Sequence, residues 1–306
     1  MKQQVALAIL LACLSFAYGR DNPSDVSILR GPYLGQTPPG SIPEVFAPGV
    51  ISTASGWEAA LSFAPDQSEL FFSRRSDIQG AENRIMHMKK IKNVWTKPAL
   101  PSFAWDLTEY EAFVTPDNQK VIFKSQRPKP DGGGREGGLW YAQKEKEHWS
   151  EARYLPGAIN KEWAMSVTST LTGTLYFTGR FGITRSRFVN GEYVKSEILP
   201  KEINQSKYFG ASHPYIAPDE SYLIFDAEGM TNSDLFISYR KKDGTWTEAV
   251  KLGPQINTDK YEAIATVSPD GKYLFFNRDN DIYWVSAKFI DELRPKNKRP
   301  PKAAVK

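Results

Sequence analysis

Three glutamates, Glu58, Glu111 and Glu262, each follow an aromatic residue, Trp57, Tyr110 and Tyr261, at comparable places in a recurring pattern. Two carboxylates held about 5 to 9.5 Å apart are the working parts of glycoside hydrolysis. Aromatic faces stack on sugar rings, and arginine forks bind carboxylates through two parallel hydrogen bonds. A second set of chemistry-bearing residues recurs some 15 to 20 positions later in each unit. The candidate ligand-binding residues are therefore Trp57, Glu58, Arg75, Glu111, Arg127, Trp163, Arg180, His213, Glu262 and Arg278. If the chain is an enzyme, Glu58, Glu111 and Glu262 are its candidate catalytic groups. The competing expectation is structural: such Glu and Arg residues pair between neighbouring repeats and end their strand ladders.

Other chemistries find little support. The chain has three histidines, His87, His148 and His213, and only His213 falls near the candidate set. A metal hydrolase needs clustered ligands, so no metal site and no cofactor are expected. A histidine followed by Pro214 more often serves a strand start than a ligand. There is no G-x-S-x-G, no phosphate-binding glycine loop leading into a helix and no H-E-x-x-H. The glycine-rich stretch from Asp131 to Gly138 joins two strands and reads as a loop.

The elements that must position these residues are short strands. A turn phrase repeats as APDQ at Ala64 to Gln67, TPDN at Thr115 to Asn118, a degenerate STLT at Ser169 to Thr172, APDE at Ala217 to Glu220 and SPDG at Ser268 to Gly271. Its period of about 50 residues is that of propellers, solenoids or arrays. In the last copy Pro269 presets φ and Gly271 tolerates a positive φ. After each turn comes an apolar strand, with Phe72, Phe123, Phe177, Phe225 and Phe276 at matching positions. These rings read as packing between units. Third strands follow at Arg84 to Met88, Leu139 to Gln143, Thr184 to Phe188, Leu235 to Tyr239 and Ile282 to Ser286.

A second phrase decides the topology. LPGAIN at Leu155 to Asn160, LPKEIN at Leu199 to Asn204 and LGPQIN at Leu252 to Asn257 each lead into the next unit, and a further copy, APGVIS at Ala47 to Ser52, precedes the first. The last unit lacks a fourth strand, and the residues from Glu44 to Val50 can supply it. Closing the circle removes the exposed sheet edges that an open stack would have to cap. The expected fold is all-β: a five-bladed β-propeller of four-stranded antiparallel blades, its ring closed by an N-terminal strand that completes the last blade. The expected domain spans 44–290, after an extended lead-in at 20–43.

The two ends carry other signals. Residues 1–19 combine Lys2, an apolar run from Val5 to Phe16 and the small-x-small site Ala17-Tyr18-Gly19, the pattern of a secretory signal peptide. The run is shorter than the roughly 20 residues of a membrane span. Cleavage near Gly19 gives a periplasmic or secreted protein with no transmembrane segment; a lipid anchor at Cys13 is the alternative. Cleavage also removes the single cysteine and with it any thiol chemistry. The formal charge of +4 rests on a Pro/Lys tail at 291–306, while residues 20–293 carry a net −3. A solvated, disordered end is the expected role of that tail, not nucleic-acid binding. A monomer is expected.

The repeat, with SPDGKYLFF at Ser268 to Phe276 and Asp281-Ile282-Tyr283 in its last copy, resembles the TolB-like propeller repeat, which is WD-repeat-like and occurs in exported bacterial proteins. The resemblance covers about 240 residues, and unit three departs from it by lacking the Pro-Asp pair. It implies the fold firmly and the activity loosely. The expected function is binding of a protein or of a polar or glycan ligand at one mouth of the channel, with glycan hydrolysis by the mouth carboxylates as the alternative.

Overall fold

The computed structural model describes residues 29–130, 132, 137–204, 209–228 and 232–295. The expected leader at 1–19 and the tail beyond 295 lie outside the described residues. Five antiparallel sheets follow one another around a ring. Their first three strands are Gly56–Phe63, Glu69–Ser76 and Arg84–Ile91 in blade 1; Glu109–Val114, Lys120–Ser125 and Gly138–Glu145 in blade 2; Ala164–Ser169, Leu175–Gly179 and Gly182–Ser186 in blade 3. Blade 4 has Phe209–Ile216, Tyr222–Glu228 and Ser233–Tyr239, and blade 5 has Glu262–Val267, Tyr273–Arg278 and Asp281–Ser286.

The first hairpin of each blade follows from its turn chemistry. The N–H groups of Gln67, Asn118, Gly173, Glu220 and Gly271 donate to the carbonyls of Ala64, Thr115, Thr170, Ala217 and Ser268 at 2.8 to 3.0 Å. All five donors have positive φ, as in a type I turn closed by a left-handed residue. The repeated aspartate caps the turn from inside: Asp66, Asp117, Asp219 and Asp270 accept the N–H two residues on, from Ser68, Gln119, Ser221 and Lys272. In blade 3 the turn is one residue shorter. Thr170 N–H reaches Thr174 there, where Ala64 N–H reaches Glu69 in blade 1. The turn of unit three therefore runs from Thr170 to Gly173, one residue later than Ser169 to Thr172. Its third strand also starts earlier than Thr184, at Gly182, because Gly179 pairs with Gly182 across the two-residue tip Arg180-Phe181.

The second phrase is a side-chain clamp. Asn160 accepts the N–H of Leu139 and donates to the carbonyls of Leu139 and Leu155. Asn204 does the same at Ile183 and Leu199, and Asn257 at Leu235 and Leu252. Each asparagine thus ties the connector leaving a blade to that blade's third strand. In the copy before unit one, Ser52 accepts from the Ile282 N–H and approaches the Ile282 carbonyl, 230 residues away. Glu44 pairs with Trp284 and Val45 with Tyr283, so the N-terminal strand completes blade 5 as the phrase requires.

An upstream strap reinforces this closure. The Leu29 carbonyl and Gly31 pair with Trp95 and Asn93 of blade 1, while Tyr33 OH donates to Asp270 of blade 5. Between them the Tyr33 ring meets Phe63, Tyr273 and Trp284 at 5.0 to 5.6 Å. At the other end, Phe289–Glu292 forms one helical turn whose Ile290 is buried, its carbonyl accepting from Tyr239 OH. The rings Phe72, Phe123, Phe177, Phe225 and Phe276 are all 2% exposed or less. They are core between blades, as their spacing implies.

Candidate functional site

Each innermost strand carries a register shift at an equivalent place, with a second one near the start of the strand in blade 4, and one non-glycine residue at the shared shift adopts positive φ: Ala60, Glu111, Ser166, His213 and Ile264. Five bulges at equivalent places aim five side chains at the ring axis. They enclose a cavity of about 30 Å³, the waist of the channel. A space of that size holds about one water, so no sugar ring fits there. The freed backbone groups are met from the preceding blade. Ser73 accepts Glu111 N–H, Thr178 accepts His213 N–H and Asp226 accepts Ile264 N–H.

Polarity at the waist is one-sided. Blades 2, 3 and 4 supply Glu111, Ser166 and His213, whereas blades 5 and 1 supply Ile264 and Ala60. Ser166 Oγ donates to Glu111 Oε2 at 2.7 Å, and His213 Nδ1 lies 2.9 Å from the Asp226 carboxylate. His213 Nε2 faces Glu111 Oε1 at 3.8 Å. Burial raises the Glu111 carboxyl above its usual range, offset only in part by the His213 charge and the Ser166 hydrogen bonds. Burial would pull the His213 imidazole down, but the charge and hydrogen bond of Asp226, helped by Glu111 and Glu228, outweigh it and hold it at about 9.

The other carboxylates do not share this space. Glu58 is fully buried and accepts from Thr53 N–H, Thr53 Oγ1 and Arg74 Nε. Glu262 is fully buried and accepts from Thr258 N–H, Thr258 Oγ1 and Arg278 Nε. The same clamp in blade 2 is built by Glu109, not Glu111, with Trp105 N–H, Ser125 and Arg127. Each arginine then reaches back to connector carbonyls, Arg74 to Val50 and Ile51, Arg278 to Gln255 and Ile256, and Arg127 to Phe103. The expectation that Glu58, Glu111 and Glu262 face the channel together is corrected: Glu111 alone does. Glu58, Glu262, Arg127 and Arg278 tie strands to connectors, and both carboxylates and the Nε and Nη2 groups of both arginines are already engaged.

The remaining candidates stand at the mouth where first strands begin, here the loop mouth. Arg75 lies over the Trp57 ring at 5.4 Å. Trp163 is 41% exposed, with the Lys124 ammonium 5.9 Å from its ring. Arg180 and Phe181 project at the tip of the blade 3 hairpin, and with Lys129, Lys161 and Trp163 they border an open crevice. Sequence reasoning missed Trp105, which is 42% exposed with the Arg127 guanidinium 5.3 Å from its ring. The signal for it was its place four residues before Glu109, since its N–H is the one that caps that carboxylate. Among the described residues no group of three or more His, Cys, Asp or Glu is arranged to hold a metal ion, and no helix is long and apolar enough to cross a membrane.

No protein-family model matches the sequence, and no curated protein is similar to it in sequence. Solved structures do resemble the ring. TolB from Acinetobacter baumannii is 12% identical over 76% of this chain and 54% of its own, with a TM-score of 0.45. A gluconolactonase from Xanthomonas campestris is 12% identical over 82% and 97%, at 0.44. The hydrazine synthase of Kuenenia stuttgartiensis is 15% identical over 83% and 60%, at 0.44. The chain spans little more than half the length of the Acinetobacter TolB it matches. With its antiparallel sheets following one another around one axis and the Pro-Asp turn at four of five first hairpins, the architecture is that of a five-bladed β-propeller. A propeller ring by itself names no activity.

Proposed function

We infer that the chain is an exported binding protein that captures a polar, glycan-bearing ligand on its loop mouth. The observation that carries this reading is an indole backed by a cation in three successive blades, Trp57 with Arg75, Trp105 with Arg127 and Trp163 with Lys124. A cation behind the ring fixes its plane, and the outer face is left as a platform for a sugar. Arg180 and Arg75, both exposed, can meet acidic groups at the rim. Hydrolysis is less favoured by the geometry, because Glu58 and Glu262 are consumed in clamps and the waist around Glu111 is too narrow for a sugar ring.

The test is a glycan array, followed by calorimetry on whichever glycan is retained. Trp57→Ala and Trp163→Ala should each weaken binding about tenfold and leave the midpoint of thermal unfolding unchanged. Equal loss of binding and stability would make these rings core and reject the reading. Turnover of any glycan that disappears in Glu111→Gln would replace it with an enzyme. Export is checked by the N-terminus of the mature protein, expected just after Gly19.

A further inference from the structure

The opposite mouth opens into an apolar funnel of about 160 Å³. Each blade contributes the second residue of its first turn to the wall: Pro65, Pro116, Leu171, Pro218 and Pro269. Leu171 stands where the other blades have proline, and 62% of it is exposed, so the rim stays apolar where the turn phrase has been lost. Phe113 and Thr266 line both the funnel and the waist cavity. The funnel therefore adjoins the waist, and Glu111, Ser166 and His213 lie just beyond its own lining.

Glu111 and His213, which line the waist, each turn one polar atom toward it without a hydrogen-bond partner among the described residues. The Glu111 side chain is 6% exposed; its Oε2 is taken by Ser166, while Oε1 has His213 Nε2 at 3.8 Å, beyond hydrogen-bond reach. His213 gives Nδ1 to Asp226 and turns Nε2 toward Glu111. An apolar pocket ending in a few convergent polar groups is the usual form of a small-molecule site.

We propose that the funnel binds a small apolar alcohol or phenol whose hydroxyl donates to Glu111 Oε1 and accepts from His213 Nε2–H. A hydroxyl does both with one atom. A carboxylate head would face the charges of Glu111 and Asp226, and an ammonium head could accept nothing from the imidazole. The raised His213 keeps Nε2 a donor at neutral pH. The funnel lies at the mouth opposite the indole platforms and binds independently of them.

The test is a ¹⁹F NMR titration of the full chain with 4-fluorophenol and with 4-fluorotoluene, in which a methyl group of similar size replaces the hydroxyl. The phenol should saturate, and the toluene should bind about tenfold more weakly because it leaves both polar groups unpaired. Glu111→Gln should weaken the phenol about fivefold by removing the charged acceptor. Leu171→Asp, a change at an exposed rim with no demand on folding, should weaken both compounds. Equal affinity for the two compounds would overturn the proposal. So would phenol binding undiminished in both variants, or the absence of any saturable signal from the folded protein.

Discussion

Asp226 joins His213 to the neighbouring blade: its Oδ1 lies 2.9 Å from His213 Nδ1 and 3.0 Å from the backbone nitrogen of Ile264. One carboxylate thus orients the waist imidazole of blade 4 and satisfies the bulge of blade 5. The group that tunes the channel is also a seam of the ring.

That seam should be felt as alkaline sensitivity. His213 is held at about 9 in the folded chain against an ordinary 6.5, so the stability it adds is fully present below about pH 6.5 and is lost as pH rises through about 9. The whole effect amounts to at most about 3 kcal/mol. Urea unfolding of the parent and of His213→Gln between pH 6 and pH 10 should show a difference that closes with rising pH. A difference independent of pH would reject the linkage.

The clamps and the platforms should separate cleanly under mutation. Glu262→Gln leaves the largely covered Arg278 beside a neutral partner and should cost about 3 kcal/mol in urea unfolding. Trp163→Ala, at an exposed ring, should cost less than about 0.5 kcal/mol. If the two costs come out alike, the division into clamp and platform fails.

Closure of the ring rests on few residues and can be broken locally. Phe46 is fully buried against Phe63, Phe275 and Trp284 at 5.0 to 6.3 Å. Phe46→Ala should cost about 3 to 5 kcal/mol. Deleting residues 44 to 50 should strip hydrogen-exchange protection from Asp281–Ser286, over 200 residues away in sequence, more than from Leu175–Gly179 in blade 3. Uniform loss across all blades would contradict a latch confined to blade 5.

The sequence carries the ring legibly because its signals are local. Pro269 and Gly271 write one turn, Asn257 writes one clamp, and the copy ending in Ser52 marks where the circle shuts. The site is written less openly. Tyr110-Glu111 imitates Trp57-Glu58 in type, yet Glu109 is the residue that matches Glu58. The inner-strand bulge then turns Glu111, two positions on, toward the axis. Nothing in Ala60, Glu111, Ser166, His213 or Ile264 announces a positive φ, since that conformation is ordinarily marked by Gly or Asn. Here it goes with the register shift between the first and second strands of each blade, a feature of strand pairing without a local code. His213 likewise reads as a solitary histidine until the ladder sets Ser212 opposite Asp226.

Another buried carboxylate, outside the lining of the waist, sets the acid limit. Glu69 accepts from Trp149 Nε1 at 2.9 Å, lies 2.6 Å from His87 Nε2 and pairs with Lys144 at 3.2 Å, joining blades 1 and 2. Burial would raise its carboxyl, but the hydrogen bonds from His87 and Trp149 and the charges of His87 and Lys144 prevail and bring it to about 2. Its folded value lies below the unfolded 4.5, so its contribution is present above pH 4.5 and is lost as pH falls through about 2. Glu69→Gln should therefore destabilise by up to about 3 kcal/mol at pH 7, with the gap to the parent narrowing as pH falls from 4.5 to 2. Because His213 adds its full share only below pH 6.5, the two groups together place maximal stability between about pH 4.5 and 6.5. A parent curve still rising from pH 7 to pH 9 would contradict that assignment.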